Sequence, residues 1–437
     1  MIAAYKQAVR KITFNEDYGM LTAVSSSLLE ATGCEVRLGD IVEIEHALNK
    51  QKSTAEVIGL KDGKIQLIAE GRSTGLCLNS RVKPLNRASA VRVGYEMLGR
   101  VFDANARPLD ELPPPSNTEF CALDNTEINP LSRTQIDSAM QTKIKAIDTL
   151  LPLGKGQKIG IFAGSGVGKT TLLNMLVSNA EADIVIVALV GERGREVVEF
   201  VDQTLHGKAQ AKTIVFAATS DQPATMRKKV AITATTTAEW FSKQGKDVLL
   251  IMDSVSRFAY AQREIGVAAG EHIGARGYPA SVFNELPALI ERAGAFKKRG
   301  CITAIYTILV EGDDMNEPVA DHMRSILDGH IVLSRELAAA GHFPSIDVLK
   351  SVSRLTTKLL DDRQVKLTQS FRKTLSVYEN AKDLVEMGAY QKGNDKSIDL
   401  ALQLKDEMLQ FLQQNTSEKI DTQQAWSVLT NILDTAK

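Results

Sequence analysis

The residues whose spacing carries the most chemistry are Ala163-Gly164-Ser165-Gly166-Val167-Gly168-Lys169-Thr170. A short β-rich run, Lys158–Phe162, leads into them, and a helical pattern over Thr170–Ser178 leads out. This strand–turn–helix setting is the one a phosphate-binding P-loop requires. Glycines let backbone N–H groups turn inward onto phosphate oxygens, and the helix N-terminus adds partial positive charge. Lys169 has the reach for β and γ phosphates, and Thr170 can place a hydroxyl on Mg²⁺. The strict pattern begins with Gly; here Ala163, also small, stands in that place. A P-loop needs a second carboxylate on the metal side. Asp247-Val248-Leu249-Leu250-Ile251-Met252-Asp253 is an apolar strand ending in an acid, at the sheet edge where open α/β folds bind ligands. Alone, Asp253 reads as a cap; behind a P-loop it reads as the metal-side acid. Hydrolysis also needs a group that orients or deprotonates water. Glu192, in Val190-Gly191-Glu192-Arg193-Gly194-Arg195-Glu196, falls just past the next strand after the P-loop helix. Taken singly, Glu192, Arg193, Arg195 and Glu196 read as solvated loop charges.

The elements that must position these residues are legible in outline. From about Lys158 to Leu333, apolar runs at Ile184–Val190, Thr213–Ala217, Asp247–Met252 and Cys301–Leu309 alternate with helical stretches such as Ala224–Phe241. Continuous apolar runs suit strands buried on both faces, so a mostly parallel sheet covered by helices is expected. The first 85 residues read as short strands with glycines at turn-like intervals, as in small barrels. Lys61-Asp62-Gly63 joins apolar runs near Ala55–Leu60 and Lys64–Ile68, a hairpin signal. Leu112-Pro113-Pro114-Pro115-Ser116-Asn117 reads as a surface excursion. After about Ser351 the β-branched runs stop, and Leu400, Leu402, Leu404, Met408 and Leu412 fall near helical spacing.

Composition sets outer limits. At roughly 150 residues per domain, 437 residues suggest about three domains. Lys plus Arg is 52 and Asp plus Glu is 53. With no global positive field and 5% aromatics, a nucleic-acid motor is disfavoured. The cysteines, Cys34, Cys77, Cys121 and Cys301, are too sparse for a disulfide framework, so reduced cytoplasmic thiols are expected. Met1–Met20 carries Lys6, Arg10, Lys11, Glu16 and Asp17 and no apolar leader core. The longest apolar run, Ile184–Val190, is far short of the roughly 20 residues that span a bilayer. Two basic clusters, Arg227-Lys228-Lys229 and Lys297-Lys298-Arg299, read either as solvated faces or as a docking or pore-facing contact for an acidic partner.

The sequence resembles the rotary-ATPase catalytic family, which includes F-type and V-type catalytic subunits and the type III protein-export ATPases. The resemblance is carried by the P-loop, Gly191-Glu192-Arg193, the Asp253 strand, and the run from Pro344 through Ser353-Arg354. It is most like the export ATPases of flagella and injectisomes at Ala261-Gln262-Arg263-Glu264-Ile265-Gly266, Val310-Glu311-Gly312-Asp313-Asp314-Met315 and Ile326–Arg335. The resemblance implies a RecA-like P-loop core, an N-terminal β-barrel and a C-terminal helical domain, with seams giving 1–85, 86–350 and 351–437. It implies ATP and Mg²⁺, with Gly164, Ser165, Gly166, Val167, Gly168, Lys169 and Thr170 around the phosphates and Thr170 and Asp253 on the metal. Glu192 matches the carboxylate that polarises water, and Arg193 a residue near the γ-phosphate. Arg354 matches an arginine finger given to the neighbouring subunit, and Phe343 an aromatic against adenine. It further implies a homohexamer in the cytoplasm, at the inner face of the membrane through partners only. Those partners would be a peripheral regulator, a central stalk, an export gate and chaperone–substrate complexes, with no nucleic acid. Flagellar export is the first expectation, supported by Val385–Gly393; an injectisome ATPase or an F/V-type catalytic subunit are the alternatives. Two departures stand out: Thr142-Lys143 where the family often has Thr-Gly, and Gly277-Tyr278-Pro279-Ala280-Ser281 where a second Pro is common.

Overall fold

A computed structural model describes residues 18–25, 28–71, 73–123, 128–274 and 276–434. The charge-rich opening of the chain lies outside them as far as Asp17. Strands β1 (Gly19–Val24), β2 (Leu29–Thr32), β3 (Asp40–Glu45), β4 (Lys52–Lys61), β5 (Lys64–Ala69) and β6 (Arg81–Ala88) close into a barrel in the order β1-β2-β5-β4-β3-β6. Alternate residues point inward, and Leu21, Leu29, Val42, Ile44, Val57, Leu67 and Val82 fill the interior. Asp62 and Gly63 both take positive φ, the geometry of a two-residue hairpin turn matched to strand twist.

β7 (Ala90–Val93) pairs with β9 (Glu119–Ala122). The 112–118 stretch between β8 (Val101–Phe102) and β9 is largely exposed, as expected of an excursion; Arg100 ties it down through the carbonyls of Leu112 and Pro113. The central sheet adds β10 (Lys158–Ala163), β11 (Ile184–Glu192), β12 (Thr213–Thr219), β13 (Val248–Asp253), β14 (Ile302–Leu309), β15 (Gly329–Leu333) and β16 (Ile346–Ser353). Its order is β16-β15-β10-β14-β13-β11-β12-β8, parallel throughout except for β16, which runs antiparallel to β15. Every residue of β11 is buried. Ile184, Ile186, Ala188 and Val190 face one core, and Val185, Val187 and Leu189 the other. The first core packs the helices Ala224–Lys243, Val255–Ala268 and Ala280–Ile290; the second packs the P-loop helix Lys169–Asn179 and the C-terminal helices.

Those C-terminal helices are Asp362–Glu386, Lys396–Leu412 and Thr422–Asp434. The first is opened by a capping box between Asp361 and Gln364. On the second, Ala401, Leu404, Met408 and Phe411 form the buried stripe, while Leu400 and Leu402 are partly covered. No described helix is long and apolar enough to cross a membrane. No disulfide joins the cysteines.

Candidate active site

β10, β11, β13 and β15 all end at one edge of the sheet, so their terminal loops meet there. The loop after β10 turns through Gly166 and Gly168, at φ 78° and 89°. A Cβ on Gly166 would meet nothing within 4 Å, and one on Gly168 would meet only the Phe343 ring, at 3.3 Å. Gly168 also N-caps the helix Lys169–Asn179 without a side-chain hydrogen bond, which leaves the first helical N–H groups to the hollow of the loop. The loop is held from outside: Ser345 Oγ donates to the Val167 carbonyl at 2.5 Å. Ser165, Gly166 and Thr170 are exposed.

Lys169 Nζ donates to Asp253 Oδ1 at 2.5 Å and stands 3.6 Å from Glu192 Oε1. Thr307 donates a second hydrogen bond to Asp253 at 2.7 Å. Glu192 sits on a bulge at the end of β11, where Gly191 takes φ 67°. A Cβ on Gly191 would meet the stems of Arg257 (3.2 Å) and Arg227 (3.4 Å). Glycine therefore lets two arginines pass beside the end of β11. Arg257 reaches back to the Gly191 carbonyl and pairs with Glu192 Oε2 at 3.2 Å. Glu192 is 5% exposed, and its Oε1 is buried without a hydrogen-bond partner. Burial, with help from the Asp253 charge, pushes the Glu192 carboxyl up to about 7 against the pull of Lys169 and Arg257. The hydrogen bond with Glu192 holds Glu196 below the usual carboxylate range.

The remaining residues singled out in the sequence fall in different places. Phe343 lies against Gly168 and is 43% exposed, an open aromatic face rather than a core ring. Arg193 points outward, its side chain 74% exposed and 3.5 Å from Glu196. Arg354 is exposed at the far end of β16, where its Nη2 donates to the Arg324 carbonyl at 3.2 Å.

The residues present fit a magnesium–nucleotide complex. The glycine hollow, the uncapped helix start and Lys169 suit a phosphate chain. Mg²⁺ is commonly held by one or two carboxylates together with substrate phosphates and water, and Thr170 with Asp253 supplies such a set. Among the described residues no group of three or more His, Cys, Asp or Glu could hold a metal by itself.

Two family models match the chain: the ATP synthase alpha/beta family nucleotide-binding domain over residues 143–353, and the T3SS EscN ATPase C-terminal domain over 360–431. The flagellum-specific ATP synthase of Bacillus subtilis is 44% identical, with 95% of each chain covered. The type 3 secretion system ATPase of Sinorhizobium fredii is 42% identical, over 92% of this chain and 89% of its own. Among solved structures, the assembled ATPase EscN of the enteropathogenic E. coli type III secretion system matches with a TM-score of 0.90 at 39% identity, over 95% of this chain and all of that one. The chain belongs to the type III export ATPase family.

In this export ATPase, sequence reasoning missed Arg257, Thr307 and Ser345. Arg257 had a signal, since it lies in the first turn of the helix that directly follows Asp253. Thr307 and Ser345 had none, because their roles arise from contacts with Asp253 and Val167 across the fold. The cluster Arg227-Lys228-Lys229 is mostly covered rather than a solvated face. Its members pair within the chain, Arg227 with Glu264 (2.6 Å), Lys228 with Glu285 (3.2 Å) and Lys229 with Glu70 (2.6 Å). In the second cluster Lys297 and Lys298 stay exposed, while Arg299 lies over the Phe296 ring.

Proposed function

We propose that the chain hydrolyses Mg-ATP at the Lys169 loop and that this turnover drives type III protein export, in the flagellar system. The observation that carries the reading is the buried Glu192 carboxyl with an unpartnered oxygen, 3.6 Å from the P-loop lysine. Lys169 and the backbone of Gly164–Gly168 bind the phosphates, and Phe343 stacks against the base. Thr170 and Asp253 would hold Mg²⁺, which would supply positive charge to offset that of the phosphates. Glu192 accepts a proton from, or orients, the attacking water, with Arg257 holding its other oxygen. Arg354 of a neighbouring copy stabilises charge on the transferring group, and Arg193 sits at the rim on the same side. The assembly is a homohexamer: the similar EscN was solved as an assembled ATPase and with its central stalk EscO. In the proposed role this ring works at the cytoplasmic face of the membrane through a stalk like that of EscN and, as the family resemblance implies, through a peripheral regulator, an export gate and chaperone–substrate complexes. Relatives from B. subtilis and Salmonella typhimurium named flagellum-specific ATP synthase favour the flagellar system. Lys169→Ala should abolish phosphate release and nucleotide binding; normal turnover would overturn the assignment. Deleting the gene should abolish filament assembly in the source bacterium, whereas intact filaments with lost injectisome secretion would move the protein to that system.

A further inference from the structure

One ion pair beside the P-loop has no part in the chemistry described above. Arg335 opens the short helix Arg335–Ala339 immediately after β15, at the edge where the P-loop lies. Asp313 belongs to the loop that follows β14, where Gly312 and Asp313 both take positive φ. The two side chains converge on Gly164. A Cβ built there would lie 2.9 Å from Arg335 Nη2 and 2.9 Å from Asp313 Oδ1. Arg335 Nε is 3.3 Å from Asp313 Oδ2, and both side chains are more than half exposed. Glycine at 164 thus keeps open a place that an arginine and an aspartate share.

The location is informative. Asp253, Glu192 and Arg257 approach the P-loop from the β13–β11 side. Arg335 approaches it from the β15 side, and is the cation of that flank that reaches the loop's first glycine. An exposed Arg–Asp pair holds weakly, whereas a guanidinium binds phosphate oxygens in a fixed fork geometry. A phosphate chain entering the loop brings several negative charges to a point where Asp313 already opposes them.

We propose that Arg335 is a further phosphate-binding residue of the nucleotide site, held back by Asp313, whose carboxylate a phosphate oxygen displaces. Asp313 thereby sets nucleotide affinity. The inference rests on the P-loop binding ATP as argued above. A pair that merely staples the loop would behave differently: losing either partner would weaken binding alike. A guarded cation gives opposite signs.

The test is calorimetric binding of ATPγS and of ADP, each with Mg²⁺, to the full chain. Arg335→Ala should raise Kd about tenfold, the size of one charge-assisted hydrogen bond, and Arg335→Lys should restore part of the loss. Asp313→Asn keeps the shape, removes the charge and should lower Kd severalfold. An Arg335→Ala Kd within twofold of wild type, or Asp313→Asn weakening binding as Arg335→Ala does, overturns the proposal. If Arg335→Ala does not fold, the sign of the Asp313→Asn shift still decides. Lys169→Ala separates the two levels. If it binds ATPγS normally, the P-loop reading itself fails; if it loses binding while Arg335→Ala does not, only the role of Arg335 fails.

Discussion

Glu192 shares its surroundings with a lysine, an arginine and a second carboxylate, yet one of its oxygens has no hydrogen-bond partner. Burial is the largest influence on it, and raises the carboxyl from an ordinary 4.5 to about 7. A base must be ionised to accept a proton, so kcat/KM, which reports the free enzyme, should rise with pH through about 7 and level off above it. A profile flat between pH 6 and 8 would place the titrating base elsewhere. Glu192→Gln should keep ATP binding and lose roughly 10²–10⁴ in turnover. The linkage runs the other way for stability. The folded state holds the Glu192 proton more tightly, so its stabilising contribution is complete below about 4.5 and lost as pH rises through about 7. At pH 8 Glu192→Gln should therefore be more stable than wild type, by roughly 1–3 kcal/mol, read as a higher thermal midpoint. From its place after an apolar strand alone Glu192 reads as a loop charge, and its role came through the family resemblance of Gly191-Glu192-Arg193. Its burial and its partner Arg257 were not legible, because neither is a property of local sequence.

Among the elements, the β11, β12, β13 and β14 strands could be read from continuous apolar runs, since burial on both faces removes polar alternation. Closure of the barrel could not, because it pairs β1 with β6 across some 60 residues of chain. The Thr142-Lys143 departure has a physical meaning. Lys143 takes φ 60°, a left-handed conformation that glycine adopts without cost and other residues at about 1–2 kcal/mol. The turn is fixed by Asp148, whose carboxylate accepts from Thr142 N (2.8 Å), Thr142 Oγ (2.7 Å), Lys143 N (3.0 Å) and, from the last helix, Thr422 Oγ (3.1 Å). Lys143 adds compensation, with Nζ 2.7 Å from Gln141 Oε1 and 3.3 Å from Glu181. Replacing it by Ala keeps the strained backbone and loses those contacts, whereas Gly loses the contacts and relieves the backbone. Lys143→Gly should therefore be about 1 kcal/mol more stable than Lys143→Ala in denaturant titration. Equal midpoints would mean that the turn relaxes when the side chain is cut back.

At the scale of the whole molecule, charges with distant partners tie the layers together. Lys229 joins the motor helix to Glu70 just beyond β5, with Thr54 of β4 donating to the same carboxylate at 2.6 Å. Burial pushes Glu70 up, but Lys229 and the hydrogen bonds outweigh it and hold the group below its ordinary range. This contribution is present above the unfolded carboxylate pKa and lost as pH falls through the folded value. Lys229→Met, which strands a buried carboxylate, should cost about 3–5 kcal/mol, and adding Glu70→Gln should recover part of it. A single variant as stable as wild type would show that the barrel and motor do not depend on this pair. β16 sets a different constraint. Its first residue, Ile346, pairs with Leu333 at the P-loop edge, next to Phe343; its last, Ser353, pairs with Gly329 at the opposite edge, next to Arg354. Those pairings are only four residue steps apart on β15, with residues 348–351 bulging between them, so at ~3.3 Å per step the two ends lie about 13 Å apart. Phe343 and the P-loop thus stand at one edge and Arg354 at the other, its Nη2 turned to the Arg324 carbonyl, so an Arg354 that acts on a nucleotide is expected to act on a neighbour's. Arg354→Ala should lose turnover by roughly 10³-fold while still binding ATP, and Lys169→Ala should lose it by losing the phosphates. In a ring mixed from equal parts of the two variants, a site is complete when an Arg354→Ala copy supplies the P-loop and a Lys169→Ala copy supplies the arginine. Random head-to-tail assembly places such pairs at about a quarter of the interfaces, so mixing should restore activity toward that fraction. A finger acting within its own chain predicts no recovery at any ratio, because every copy would carry one defect of its own. Confirmed mixed rings that stay inactive would therefore remove Arg354 from the neighbouring site.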